Sequence, residues 1–206
     1  MRDRRTWTVL LAGLAWISLS SGGALPMGAT GSAADAVSAH APWTPEVPGI
    51  ETAFRALGTP LSRADLGRVA RTVAAEARRA GFSSDFVLAV IQIESGGDPF
   101  AISPKGALGL MQLLPDTGRA VAEEVGLRWE GPETLFDPVA NVRLGVAYLE
   151  RLRARYGNLS IALTAYNWGP TRVSDMLRRS EPIPVGYSRR VLAACRERGD
   201  GNERPI

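Results

Sequence analysis

From Ser62 onward the apolar positions fall at helical steps. Leu66, Val69, Ala70, Val73 and Ala77 recur at three- and four-residue intervals, which predicts an amphipathic helix opened by Ser62 and Asp65 and stopped by Gly81. A second helix is expected over about 84–95. Phe86, Val87, Leu88, Ala89, Val90, Ile91 and Ile93 leave it almost no polar face, so it should lie inside the domain, and it ends at Ser95-Gly96-Gly97. A loop holding Pro99, Pro104 and Gly106 leads to 109–114, and Pro115 then starts or kinks a helix that runs to Gly126. Asp137-Pro138 reads as an N-cap with proline at the first helical position. Val139, Val142, Val146, Leu149 and Leu152 follow as an apolar stripe that ends at Gly157. An apolar helix over 159–167 and two short ones near 171–178 and 187–197 complete the pattern. With no alternating strand-length segment, no internal repeat and no heptads, the prediction is an all-α domain over 62–198 with a disordered polar tail over 199–206.

The start of the chain reads differently. Arg2, Arg4 and Arg5 precede an apolar run from Trp7 to Leu19, and small residues follow from Ser20 to Ala24. This is the order of a secretory signal, expected over 1–24 with cleavage between 24 and 34, and it implies export to the periplasm or cell envelope. The run is shorter than the roughly 20 residues of a spanning helix, and an uncleaved signal anchor stays open. Pro42, Pro45, Pro48 and Pro60 mark 35–60 as a flexible linker with one short helical turn at most.

Composition narrows the chemistry. The 206 residues are 45% apolar and 22% charged with a net charge of +3, which fits one soluble domain and is too small an excess to indicate nucleic-acid binding. One cysteine, Cys195, and one histidine, His40, cannot make a disulfide framework or a Cys/His zinc site, and no cofactor is expected. Cys195 on an apolar helix reads as a small buried hydrophobe. His40 lies in the Pro-rich stretch, which sets Ser-His-Asp and Cys-His catalysis aside.

A carboxyl group acting as general acid or base remains. Glu94 is the candidate because it closes the most apolar helix. An acid that protonates a leaving oxygen near neutral pH needs a bias of roughly 3 kcal/mol toward its protonated form. The helix C-terminus supplies about 0.3–1 kcal/mol of this, so apolar surroundings must supply the rest. The alternative for Glu94 is a surface residue at a helix end. Ser95 has two open roles: satisfying loose carbonyls at that end, or holding the Glu94 carboxyl or a substrate amide.

Three segments then fall in a telling order. Ile93-Glu94-Ser95-Gly96-Gly97-Asp98-Pro99, Gly106-Ala107-Leu108-Gly109-Leu110-Met111-Gln112-Leu113-Leu114-Pro115-Asp116-Thr117, and Ala165-Tyr166-Asn167-Trp168-Gly169 together resemble the catalytic domain of the soluble lytic transglycosylases, of lysozyme-like fold. The resemblance covers about 70–192. It implies a peptidoglycan glycan-strand substrate, cut between N-acetylmuramic acid and N-acetylglucosamine. Glu94 would protonate the glycosidic oxygen and then act as base toward the C6 hydroxyl of the same muramic sugar, closing a 1,6-anhydro ring. The residues agree that no second acid stands in a setting like that of Glu94. Asp98 suits a turn and Asp116 a first helical turn, whereas a two-carboxylate glycosidase needs a nearby partner.

The resemblance further implies substrate contacts from Gln112, Asn167 and an apolar wall at Met111. It places the Tyr166 hydroxyl near the catalytic carboxyl and Tyr187 in the groove. Core packing is the competing role for Met111 and Tyr166, and a helix C-cap for Asn167. Two features depart from the family: Trp168 stands where a small residue is common, and 183–191 is a shortened Pro-to-Tyr segment lacking an acidic-Thr pair. A minimal monomeric enzyme is expected. A water-using muramidase, or a weakly active wall-binding protein that serves a secretion or conjugation machine, are the alternatives.

Overall fold

The computed structural model describes residues 46–200 of the chain, and the fold is helical throughout. The expected signal segment, its cleavage site and nearly all of the polar tail lie outside the described residues. Helix α2 (Arg63–Ala80) begins where Ser62 accepts a hydrogen bond from the Asp65 amide and ends at Gly81 in the left-handed conformation. Helix α3 (Ser84–Ser95) is capped by Ser83, and its residues from Phe86 to Ile91 are all buried. Helices α4 (Pro115–Val125), α5 (Pro138–Tyr156) and α6 (Leu159–Trp168) follow, with a single 3-10 turn at Pro132–Phe136 before α5. Helices α7 (Pro170–Arg178) and α8 (Gly186–Asp200) end the described chain.

One boundary differs from expectation. The segment read as a linker contains an 11-residue helix, α1 (Glu46–Ala56), whose Val47, Ile50 and Phe54 are buried in the core. Pro48 and Gly49 lie in its first turn, where a proline costs no intrahelical hydrogen bond. Judged by composition they suggest a turn, but the i, i+3, i+7 spacing of the apolar residues determines the outcome. The folded unit therefore includes α1 and is not confined to the residues from Ser62 onward.

The apolar residues form two clusters. One gathers α1, α2, α3 and α8 with Leu110, Met111 and part of α5. The other gathers α4, the 3-10 turn, α7 and the remaining faces of α5 and α6, with Leu108 and Leu113. The loop over 108–113 thus sends neighbouring side chains into different clusters, and Tyr166 packs against both. Two isolated antiparallel bridges, Ile102 with Leu108 and Leu108 with Leu113, shape this loop. Cys195 is half-buried against the first cluster, and burial pushes its thiol pKa up, in keeping with a packing role.

Among the described residues no helix is long and apolar enough to cross a membrane.

Candidate active site

Glu94 is the penultimate residue of α3 and is half-buried. The Tyr187 hydroxyl, from the first turn of α8, donates to its Oε1 at 2.5 Å. Tyr187 itself is 5% exposed. Burial raises the Glu94 pKa above its ordinary value, while the Tyr187 hydrogen bond and the charge of Arg190 pull it back down. The net direction is the one a general acid needs. Tyr166, on α6, donates its hydroxyl to the Met111 carbonyl at 2.6 Å. Burial, and then the charge of Glu94, push both tyrosine pKa values well above the ordinary range, so both hydroxyls keep their protons and remain donors.

The turn after Glu94 is braced from three directions. Ser95 donates to the Leu110 carbonyl at 2.8 Å and to the Ile91 carbonyl at 3.2 Å, and accepts from the Gly97 amide at 3.2 Å. Of its two open roles, the structure shows the carbonyl-tying one, and it joins the first motif to the second. Thr59 donates to the Gly97 carbonyl at 2.7 Å from the connection between α1 and α2. Gly97, at φ +86°, is in a backbone conformation that favours glycine, and a Cβ there would crowd the Leu57 side chain at 3.2 Å.

The second motif is held by a residue that sequence reading passed over. Asn141, 0% exposed on α5, accepts from the Met111 amide at 2.8 Å and donates to the carbonyls of Leu108 at 3.0 Å and Leu135 at 2.8 Å. Gly109, at φ +75°, lies directly beneath it. A Cβ there would fall 2.3 Å from the Leu135 carbonyl oxygen and 2.4 Å from the Asn141 amide nitrogen. A lone asparagine inside an amphipathic helix carries no local signal of such a partner.

Two expected substrate contacts change. Met111 is 0% exposed, and a Cβ on Gly145 would approach its sulfur to 2.3 Å. Its side chain is therefore core and not a groove wall, because the absence of a side chain on Gly145 lets α5 close over it. What Met111 contributes toward the site is its carbonyl, the acceptor for Tyr166. Gln112 is half-buried in the left-handed region at φ +49°, and its amide nitrogen donates to the carbonyls of Ala101 and Gly109, each at 3.0 Å. Both amide hydrogens are thereby engaged, leaving its carbonyl oxygen as the group able to accept from a sugar.

Asn167 is exposed near the end of α6, and the C-cap of that helix is Gly169 and not Asn167. Beside it Trp168 is 37% exposed, with the Arg172 guanidinium over its ring at 4.1 Å. Asp98 accepts from the Phe100 amide at 2.8 Å, the turn role expected of it, and the Asp116 side chain is 98% exposed. Among the described residues no other carboxylate acts on Glu94. Among the described residues no group of three or more His, Cys, Asp or Glu is placed to hold a metal ion. Arg190 also went unnoticed in the sequence, although its place three residues after Tyr187 puts both on one helical face.

This geometry makes Tyr187→Phe informative. Loss of the donor removes an influence that lowers the Glu94 pKa, so the acid keeps its proton to higher pH. The basic limb of the pH–rate profile should move upward, and a basic limb that stays in place or moves down contradicts the assignment.

The match to known proteins follows the same segments. The Transglycosylase SLT domain family matches residues 71–182. The soluble lytic murein transglycosylase of Salmonella typhimurium is 35% identical over 127 residues, 54% of this chain and 20% of that protein. Among solved structures, the 70-kDa soluble lytic transglycosylase of Escherichia coli superposes with a TM-score of 0.60 at 25% identity, over 77% of this chain and 31% of that one. Lytic transglycosylase Slt of Pseudomonas aeruginosa, solved as an inactive Glu-to-Gln mutant, gives 0.58 at 29% identity, over 66% and 24% respectively. The chain thus spans about a fifth of the length of the Salmonella protein. A helical fold that seats a half-buried glutamate against the hydroxyl of Tyr187, with the family match running through all three motifs, places this chain in the transglycosylase SLT domain family.

Proposed function

We propose that this chain is a peptidoglycan lytic transglycosylase that breaks the bond between N-acetylmuramic acid and N-acetylglucosamine without consuming water. Protonated Glu94 donates to the glycosidic oxygen as the C1–O bond breaks, and the acetamido group of the muramic sugar stabilises the positive charge at C1. The resulting Glu94 carboxylate then takes the proton of the C6 hydroxyl while O6 bonds to C1. The acid ends in its starting state, and the product is a 1,6-anhydro sugar.

One observation carries this reading: a single half-buried carboxyl at the end of α3, held by the Tyr187 hydroxyl, with no second carboxylate acting on it among the described residues. Paired-carboxylate hydrolysis needs a partner about 5–9.5 Å away, and substrate assistance is the known exception. Tyr187 fits the cycle because it keeps its proton and so remains a donor that orients the carboxyl in both of its states. The inactive glutamate-to-glutamine mutant of the Pseudomonas relative supports a glutamate as the working group. The substrate lies outside the cytoplasmic membrane, which accords with the export signal expected over 1–24.

Mass spectrometry of digested sacculi tests the proposal. Muropeptides lighter by one water than their reducing-end counterparts are expected. A majority of reducing ends means that water is the nucleophile, and a lytic mechanism is then rejected.

A further inference from the structure

The donor that meets Glu94 stands at the start of α8, and the backbone does little to hold that end in place. Pro182 and Pro184 bring no amide hydrogen to the segment before it. Among the described residues no backbone hydrogen bond joins 182–188 to another element. Tyr187, Val191 and Ala194 pack in the first apolar cluster and keep α8 beside α3. Such packing is non-directional, whereas the bond from Tyr187 to Glu94, 2.5 Å long, depends on both length and angle. A directional tie is needed to set the register of α8, and hydroxyl groups supply it.

Among the described residues the buried polar side chains are those of Asn141, Thr164 and Ser188. Asn141 holds the loop over 108–113, and the other two both act at the start of α8. The Thr164 hydroxyl lies 2.9 Å from the Pro184 carbonyl and 2.9 Å from the Ser160 carbonyl of its own helix, its single hydrogen serving one or the other. Ser188 donates to the Val185 carbonyl at 3.1 Å and so accepts from Ser160 at 2.7 Å. Ser160 and Thr164 are one turn apart on one face of α6, and between them they grip residues on both sides of Val185. The net stability added by a satisfied buried hydroxyl is modest, whereas the placement it imposes is specific. We propose that Thr164, and Ser160 through Ser188, are positioning residues: from α6 they set the register of α8 so that the Tyr187 hydroxyl meets the Glu94 carboxyl. They act through Tyr187 and not on the substrate. The segment so held is the shortened one over 183–191. The proposal rests on Glu94 as the general acid of the reading above, and it holds whether the C6 hydroxyl or water completes the reaction.

A double-mutant cycle with Tyr187→Phe, read as steady-state rates on soluble glycan strands per folded protein, tests this. Thr164→Val keeps the shape of the side chain and removes the hydroxyl. It should lower kcat by about 10–10²-fold, the scale of a working group displaced by up to about 1 Å, with KM nearly unchanged. Thr164→Ser keeps the hydroxyl and should restore most of kcat. In the Tyr187→Phe protein the same valine should cause no further loss, because no donor is left to place. Ser160→Ala breaks the second tie from a half-buried position and should lower kcat in the same pattern to a smaller extent, so it carries the cycle if the valine variant does not fold. Wild-type kcat in the variant that carries the cycle, a loss of equal size in the Tyr187→Phe background, serine no better than valine at 164, or a Tyr187→Phe protein with wild-type kcat each overturns the proposal. Glu94→Gln keeps the two readings separate. If it is inactive while the cycle is additive, the positioning role alone fails; if it stays active, the general-acid reading fails and this proposal with it. Product mass reports on the nucleophile and bears on neither Thr164 nor Ser188.

Discussion

Glu94→Gln should release fragments from sacculi at least about 10²–10⁴ times more slowly than wild type, the usual contribution of a positioned general acid–base group. One residue serves as acid and then as base in the proposed cycle, so the loss should reach or exceed the upper end. The amide keeps the volume of the carboxyl, and its oxygen can still accept from Tyr187, so the fold should survive. Stability should even rise, in a pH-dependent way. Burial raises the folded-state pKa of Glu94 above its ordinary value of 4.5. Below that ordinary value the group is protonated in both folded and unfolded chains, and the substitution relieves nothing. As the pH climbs through the folded-state value, ionising the buried carboxyl costs the wild type stability. Melting curves should therefore show Glu94→Gln more stable than wild type at pH 7–8, with the gap closing toward pH 4. A gap independent of pH would show that Glu94 does not carry the raised pKa, and undiminished lysis by the variant would remove it from the mechanism.

The second large effect concerns stability. Asn141→Ala removes three hydrogen bonds from a position with no solvent access and leaves the Met111 amide and the Leu135 carbonyl without this partner. Each buried polar group so orphaned costs about 1–3 kcal/mol, so a loss of about 3–5 kcal/mol is expected. For a domain of this size that lowers Tm by roughly 10 °C. Asn141→Asp separates hydrogen bonding from volume. An ionised carboxylate can accept from the Met111 amide but cannot donate to the carbonyls of Leu108 and Leu135, and it is buried as a charge. It should destabilise at least as much as alanine at neutral pH. Wild-type melting of the aspartate variant would mean that Asn141 does not staple this loop. Loss of the staple should also reduce activity beyond the loss of folded protein, because the same loop presents Gln112 and the Met111 carbonyl that receives Tyr166.

The helices from α2 to α8 were legible because each is written locally. Ser62 and Asp137 cap the helices they are expected to open, and Gly81, Gly96, Gly126 and Gly157 end their helices in the left-handed conformation. Glu94 stood out for the same reason, as the acid that closes the most apolar helix. The first helix was misjudged because proline and glycine in an opening turn resemble a linker when weighed by composition. Met111 could not be assigned from its motif, since its burial depends on Gly145, which lies 34 residues away on α5. The importance of Tyr187 and Arg190 is equally non-local. They act on Glu94 only because α8 packs along α3, and a short, divergent segment precedes them in sequence. The sequence by itself determined which segments are helical and which carboxyl is suited to acid chemistry, because caps, periodicity and apolar neighbours act within one turn of the chain. Only the tertiary structure decided what surrounds that carboxyl, because hydrogen bonds and charges felt across a few ångströms join residues from α3, α6 and α8 that the chain keeps far apart.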